Sequence, residues 1–353
     1  MSTYLPIYLS TYLPIYLFTP HGDRKTVVEY IIRRILLAIP TLFLVALVGY
    51  VSMELPPGDY VTRYVSQLEA SGQSGARDRG ETLRKLYNLD DPSYLRFTRW
   101  LVRFVQGDFG DSMIYQRPVR ELIADRLPLT LALTLPAFAL SWLIGVSLGV
   151  YSATHQYSFG DNALTVLAFL GLGLPGFLIA LILLVVTWRL TGNVYIGLFS
   201  EGMATAPWSL AKVVDLAKHL WIPIGTVVLT GTAWVMRVMR GNLLDEMRVN
   251  YVQATRAKGV PERTVIWKHA VRNAFHPLIM ALGGVLAWLI SGTSIVEQVL
   301  GLPTLGPLFI QATLEQDIYL SGTILIIISF LLVIGNLLAD IALAWLDPRI
   351  RFD

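Results

Sequence analysis

The sequence predicts an all-α protein that crosses a membrane six times. Of its 353 residues, 54% are hydrophobic and only 15% are charged, whereas soluble domains carry about 25% charged residues. A bilayer core requires about 20 apolar residues of helix, because backbone amides in hydrocarbon must bond within their own segment. Six charge-free windows meet this requirement: 35–53, 127–160, 162–188, 219–236, 273–296 and 318–339.

The first predicted membrane helix, 28–53, follows an N-terminal extension of residues 1–27. This extension contains the octapeptide STYLPIYL twice, at 2–9 and at 10–17. A proline in every repeat breaks helices, and the basic start and small-residue cleavage site of a signal peptide are missing. We therefore predict a disordered or interfacial extension.

Residues 54–127 form the one sizeable region outside the predicted spans, and we expect it to be extracytoplasmic. Its Gly-rich stretch EASGQSGARDRG, 69–80, is typical of a mobile loop. The stretch SYLRFTRWLVRFV, 93–105, predicts an amphipathic helix that packs on the membrane or on other subunits. Its apolar stripe comprises Leu95, Thr98, Leu101, Val102 and Val105. The next window, 127–160, is longer than one span requires, so we predict that its helix ends near Ala153.

The third window contains GLGLPGF, 171–177. This stretch follows no predicted strand and has no lysine, so it does not fit a phosphate-binding loop. Pro175 instead predicts a kinked, flexible helix that lines a pathway, with simple helix packing as the alternative. The candidate pathway or kink residues are Gly171, Gly173, Pro175 and Gly176.

Short loops rich in Lys and Arg are retained on the cytoplasmic side. Four basic residues, Arg24, Lys25, Arg33 and Arg34, precede the first span, whereas 297–317 contains acidic residues but no Lys or Arg. Eight basic residues lie in 237–272. We therefore predict that this segment, the N-terminus and the C-terminal tail, 347–353, are cytoplasmic.

The basic segment 250–278 has a predicted local structure of its own. Residues 250–258 are free of Gly and Pro, Gly259 can end a helix in the left-handed conformation, and Pro261 suits the first turn of the next helix. An orientation signal alone explains the charge, but it needs only a few charges. It does not need a helix, a sharp turn and a second helix.

Several functional classes are excluded or disfavoured. The chain has no cysteine, so disulfides and thiolate metal sites are excluded, and its five histidines form no short metal-binding signature. No G-x-x-x-x-G-K-[ST] motif is present, so the chain is not an ATP-hydrolysing subunit. The stretch GVSLG, 145–149, matches the serine hydrolase elbow around Ser147, but it lies within an apolar helix. Gly145 and Gly149 are better explained by close helix packing. We predict no catalytic residue, metal or cofactor, and no nucleic-acid partner.

The segment 250–278 resembles the coupling loop of ABC importer permeases, whose pattern is Glu-Ala-Ala, three residues and Gly. Gln253, Ala254 and Thr255 occupy the first three positions and Gly259 the last, so Gln253 replaces the acidic residue and Thr255 the second alanine. The stretches YVQATRAKG and HAVRNA are similar to those of the oligopeptide/dipeptide branch. Further stretches resemble the same branch in order along the chain: YIIRRILLAIPTLFLV, PPGDY, RPVRELIADRLPLTLALT, VLGLPTLGPLFIQATLEQDIYL and AWLDPRIR.

The resemblance implies a non-enzymatic, six-span permease subunit of a type I ABC importer in a prokaryotic plasma membrane. Its core would be 128–346, and its coupling loop, 238–276, would contact an ATPase. The implied partners are a homologous permease in a heterodimer, two P-loop ATPases and an external substrate-binding protein. Peptides are the expected solute, although related permeases carry nickel or oligosaccharides. The implied coupling residues are Tyr251, Gln253, Ala254, Thr255, Lys258, Gly259 and Pro261.

Two other functions stay open on the residues alone. One is a secondary transporter or channel that acts without an ATPase. Charged groups within the spans are almost absent, and Asp340 is the candidate for ion coupling, although its position near the end of the last span favours a structural role at the membrane interface. The other is an intramembrane serine hydrolase built on Ser147.

Overall fold

The computed structural model describes residues 27–346, with side chains from 32 to 343. The STYLPIYL repeat and the tail 347–353 lie outside the described residues. The described part is helical, with one isolated β-bridge and no strand. Its helices are α1 Val27–Glu54, α2 Tyr60–Ala70, α3 Ala76–Leu86, α4 Ser93–Val105, α5 Val119–Thr154, α6 Phe159–Gly173, α7 Gly176–Thr191, α8 Leu210–Glu246, α9 Asn250–Ala257, α10 Glu262–Thr264, a π-helical segment Val265–Ala270, α11 Val271–Ala274, α12 His276–Ser291, α13 Ser294–Val299, α14 Leu305–Leu314 and α15 Ile318–Leu346.

Five stretches of the described chain are long and apolar enough to cross a membrane, and the bent pair α6 and α7 makes a sixth if counted as one span. The predicted all-helical membrane fold is confirmed. Helices α5 and α8 have 36 and 37 residues and extend beyond the charge-free windows. A charge-free window measures the part of a helix in hydrocarbon, whereas polar residues can continue the helix into water.

The centre of the fold is the contact between α5 and α8. Two glycines of α5 allow these helices to approach closely: a Cβ atom on Gly145 would lie 2.6 Å from Cβ of Val235, and one on Gly149 would lie 2.7 Å from Cβ of Met239. The packing role predicted for both glycines is confirmed. Ser147 lies between them in an unbroken helix, where its hydroxyl donates to the Leu143 carbonyl at 2.8 Å. The hydrolase elbow, which requires a strand-to-helix turn, is therefore absent there.

The predicted third span is interrupted rather than gently kinked. Helix α6 ends at Gly173, α7 begins at Gly176, and their axes differ by 107°. Pro175 explains the break, because it has no amide hydrogen for the helix and forces the preceding residue, Leu174, into an extended conformation (φ −92°, ψ 132°). A Cβ atom on Gly171 would lie 3.0 Å from Cβ of Ala233, so Gly171 packs on α8, whereas Gly173 faces open space.

The region between α1 and α5 folds into a small cap. Its core comprises Tyr60, Val61, Tyr87, Leu89 and Met113. The mobile loop predicted at 69–80 is wrong in its second half, because α3 begins at Ala76 and Gly80 of α3 is buried against Val65 of α2. Arg84 of α3 forms an ion pair with Asp59, the N-cap of α2, at 2.9 Å. Gly80 therefore allows α2 and α3 to pack closely, while the glycines before α3 lie in the loop.

Two acidic residues that counted as loop charges in the sequence are fully buried. Glu297 accepts hydrogen bonds from the hydroxyls of Thr293 at 2.6 Å and Thr304 at 2.7 Å. Asp317 accepts from the Ser112 hydroxyl at 2.6 Å and from the Leu320 amide at 3.1 Å. Burial raises the pKa of the Asp317 carboxyl. Asp317 ties the loop before α15 to Ser112 of the cap, whereas Glu297 is held by two threonines of the stretch between α12 and α14. Neither residue is a surface charge.

Candidate functional site

The charged segment predicted from the sequence forms a compact unit between α8 and α12. Helix α8 continues to Glu246, so the segment outside the two long helices is 247–275, which is shorter than the predicted 238–276. The helix continues because Met239 and Leu243 are fully buried in a cluster shared with the segment itself. We call residues 247–275 the coupling segment, after the role that the sequence predicts for them.

An apolar core attaches the coupling segment to three membrane helices. Val252, Val265 and Ala270 of the segment are each 0% exposed. They pack in one cluster with side chains from α5, α8 and α12, including Val150, Ala153, Met239, Leu243 and Leu278. Burying an aliphatic side chain contributes about 1.5–3 kcal/mol relative to exposure. The coupling segment is therefore part of the folded core.

A polar cluster lies where the coupling segment joins the end of α8. The side-chain amide of Asn273 donates to the hydroxyl oxygen of Tyr251 at 2.9 Å and to the carboxylate of Glu246 at 3.1 Å. The Tyr251 hydroxyl in turn donates to Glu246. Burial, together with this hydrogen bond, raises the pKa of Tyr251 to about 12. The cluster joins the end of α8 to α9 and α11.

The sharp turn predicted after residue 258 is present. Gly259 has φ +74°, in the left-handed region, and follows Lys258 at the end of α9. Pro261 then precedes α10 with φ −55°. Arg256 and Glu262 brace the turn: Nε of Arg256 lies 3.0 and 3.1 Å from the two carboxylate oxygens, and Nη2 lies 2.6 Å from one of them. The hydrogen bonds from Arg256 hold the pKa of Glu262 below its usual range.

Gln253 occupies the position at which the resembled family has an acidic residue. Its side-chain amide donates to the Met247 carbonyl, at the end of α8, at 2.9 Å. The exposed face of α9 comprises Asn250, Gln253, Ala254 and Ala257, and it continues into the exposed residues Lys258, Gly259 and Pro261. Tyr251 lies at the edge of this face with its hydroxyl turned inward, and the hydroxyl of half-buried Thr255 donates to the Tyr251 carbonyl at 2.7 Å.

Near the coupling segment lies an ion pair that the sequence did not predict. Arg240 of α8 makes two hydrogen bonds of 2.8 Å to the two carboxylate oxygens of Asp161, which is 1% exposed at the start of α6. The buried Ser152 hydroxyl of α5 lies against the same carboxylate. Asp161 is the one residue that separates the windows 127–160 and 162–188. A single acidic residue between two apolar windows is the sequence signal that could have identified it.

A cleft of about 470 Å³ opens between α5, α8 and α12. Its walls carry aromatic side chains and small or hydroxyl-bearing residues, with no charged residue among them. They include Phe138, Trp142, Trp234, Trp288, Ser141, Thr230, Gly231 and Gly284. Two of these three helices, α8 and α12, are those that the coupling segment joins.

A family model described as "Binding-protein-dependent transport system inner membrane component" matches residues 145–352. The chain belongs to this family. Since these are the inner-membrane permeases of ABC importers, the chain is a non-catalytic permease subunit. The family therefore argues against both alternatives, a stand-alone transporter and a serine hydrolase. Among residues 27–346, moreover, no group of three His, Cys, Asp or Glu residues is placed to hold a metal ion.

Several curated relatives match this permease over most of its length. The oligopeptide transport system permease protein AppB of Bacillus subtilis is 36% identical over 92% of this chain and 99% of its own length. A putative peptide transport system permease of Brucella abortus is 32% identical over the same shares. The oligopeptide transport system permease protein OppB of Haemophilus influenzae is 30% identical, again over 92% and 99%.

Proposed function

We propose that this permease forms half of the translocation pathway of an ATP-driven peptide importer, and that its coupling segment docks on an ATPase subunit. Peptides are favoured because the relatives from Bacillus, Brucella and Haemophilus are each named as peptide or oligopeptide permeases. The partners in this proposal are a homologous permease in a heterodimer, two P-loop ATPases and an external substrate-binding protein, in a prokaryotic plasma membrane with both termini of the chain inside.

The attachment of the coupling segment to the spans carries the proposal. A docking element transmits force only if it moves as one body with the helices to be moved. Val252 and Val265 bury their side chains against α8 and α5, and the Glu246, Tyr251 and Asn273 cluster closes the same junction. Displacement of the exposed face of α9 must therefore displace α8 and α12 as well.

We propose that the cleft between α5, α8 and α12 faces the solute. It lies between the two helices that the segment joins, so a movement of the segment changes its width. Aromatic walls without charge suit solutes that differ in side chain but share a peptide backbone, because aromatic faces contact many apolar groups and hydroxyls can bond amides. The break at Gly171, Gly173, Pro175 and Gly176 stays a second candidate for the pathway.

The docking proposal is tested by mild-detergent purification of the tagged permease from its own membranes, followed by mass spectrometry. We expect a second six-span permease and P-loop ATPases to co-purify. Ala254→Trp places a bulky ring on the exposed face of α9 and should remove the ATPases while leaving the second permease. Ala70→Trp is the matched control, since Ala70 is an exposed alanine in a short helix of the cap.

Equal recovery of ATPases with both variants would show that α9 is not the docking face. Recovery of the permease alone, even after crosslinking, would contradict the assembly. The solute is tested separately in vesicles that contain the purified complex and its binding protein. ATP-dependent uptake of a labelled peptide, but not of nickel or an oligosaccharide, is the expected result.

A further inference from the structure

Helix α4, the last helix before α5, has three different faces. At about 100° per residue, its first face contains Phe97, Trp100, Leu101 and Phe104, which are buried or half-buried. A second face, which we call the outer stripe, is exposed and contains Tyr94, Leu95, Thr98, Val102 and Val105. The arginine stripe contains Arg96, Arg99 and Arg103. The outer stripe and the arginine stripe lie on opposite sides of the buried face.

The buried face places α4 beside the first membrane helix. The ring centroid of Phe97 lies 5.2 Å from that of Tyr50 and 6.1 Å from that of Phe43, both on α1. Trp100 is 2% exposed and packs against Gly322 of α15, where a Cβ atom would lie 3.0 Å from the indole ring. Helix α4 is therefore held against the two neighbouring spans α1 and α15.

These contacts also give the depth of α4 relative to the membrane. The apolar run of α1 ends at Met53, and Tyr50 and Phe43 precede it by about 5 and 15 Å along the helix axis at 1.5 Å per residue. Phe97 touches both. Because the hydrocarbon layer is about 30 Å thick, α4 lies at the level of the adjoining half of the membrane.

The charged residues of α4 show how the helix is rotated about its own axis. Arg96 forms an ion pair with Glu54, the last residue of α1 and thus at its water-facing end. Arg99 pairs with Asp91, in the loop just before α4. The arginine stripe therefore faces the aqueous side. The outer stripe lies on the other side of the buried face and therefore faces the membrane interior. At this depth α1 exposes its own apolar surface, with Phe43 46% and Leu44 58% exposed.

Three side chains of the outer stripe are largely exposed: 68% of Tyr94, 57% of Val102 and 79% of Val105 are accessible. We infer that α4 is an interfacial helix whose outer stripe contacts lipid acyl chains, while its arginine stripe lies among headgroups and water. A basic face beside an apolar face is the pattern by which helices lie in the plane of a membrane. Lipid, continuous with the exposed face of α1, is the occupant that fits this depth and charge.

The absence of cysteine from the chain allows a direct test by single-cysteine spin labelling. Val102→Cys and Val105→Cys are labelled with a nitroxide in the complete transporter, in vesicles of phosphatidylethanolamine and phosphatidylglycerol. Collision rates are measured with oxygen, which concentrates in lipid, and with a water-soluble nickel chelate. Leu44→Cys on α1 is the lipid-facing control, Gln73→Cys in the α2–α3 loop is the water-facing control, and the cysteine-free parent gives the background.

We expect labels at 102 and 105 to show an oxygen-to-nickel collision ratio several-fold above that at 73 and close to that at 44. Arg103→Cys, on the arginine stripe of the same helix, should match position 73. Nickel-dominated collisions at 102 and 105 would overturn the inference, because the stripe would then face water. Protection from both reagents would also overturn it, since another protein would then cover the stripe. The measurement does not depend on transport, so its failure leaves the proposed function untouched.

Discussion

The guanidinium of Arg240 holds both carboxylate oxygens of Asp161, each at 2.8 Å, across 79 residues of sequence. This pair joins α8 to the start of the broken third span, and Ser152 adds α5 to the contact. Arg240 lies less than two helical turns before the coupling segment. Any movement that the segment imposes on α8 must therefore carry α6 with it or break this pair.

Loss of one partner of this pair should destabilise the permease strongly. Asp161→Asn leaves the Arg240 charge without a counter-ion in a mostly buried site, and breaking such a pair costs about 3–5 kcal/mol. We expect a lower midpoint in thermal unfolding of the detergent-purified chain. The double variant Asp161→Asn with Arg240→Gln removes both charges and should recover part of the loss. A double variant no better than the single one would show that the ion pair itself contributes little.

Substitution of Gly259 should affect coupling rather than insertion. With φ +74°, this position costs other L-residues about 1–2 kcal/mol, although no atom lies within 4 Å of a Cβ placed there. We expect Gly259→Trp to reach the membrane in normal amounts but to lose ATP-dependent uptake. Gly259→Asn is the control, because asparagine tolerates the left-handed conformation, and it should retain most uptake. Wild-type uptake in the tryptophan variant would argue against a docking role for this turn.

The Arg256 and Glu262 brace should make the turn sensitive to acid. The pKa of Glu262 is lowered in the folded state, so its stabilising contribution is present above the unfolded pKa, near 4.5, and is lost as pH falls through the folded value. Exposed pairs contribute only about 0.2–1 kcal/mol. Hydrogen exchange of residues 256–262, corrected for intrinsic rates, should show weaker protection in acid than at neutral pH. In Glu262→Gln this difference should disappear; an unchanged difference would assign it to another group.

Loss of an aromatic wall should impair uptake if the cleft contacts solute. Trp234→Ala removes a ring that is 41% exposed in the cleft, whereas Trp221→Ala removes one that is 42% exposed elsewhere on the same helix. We expect the first variant to lower the uptake of peptides with apolar side chains several-fold and the second to leave it near wild type. ATP hydrolysis by the complex reports whether assembly is intact. Equal effects from both variants would remove the cleft from the pathway.

The membrane helices and the turn at Gly259 could be predicted from the sequence because both depend on local chemistry. A helix in hydrocarbon must satisfy its own backbone, so a run of apolar residues identifies it without reference to other segments. A left-handed helix end is likewise decided by the residue that occupies it. The small pair Gly145 and Gly149 predicted close packing, although not that α8 was the neighbour.

Other features depend on which segments meet, so local sequence patterns could not predict them. Asp161 and Arg240 each look like an ordinary charge at the end of a span until the fold brings them together. In α4, periodicity showed an apolar stripe, but the aromatic face with Phe97 and Trp100 is the one that packs, because α1 and α15 offer the complementary surface. Glu297 and Asp317 read as loop charges and are buried. Local chemistry thus identified the membrane helices, the amphipathic α4 and the helix end at Gly259. Which faces meet, and at what depth and angle, follows from long-range packing.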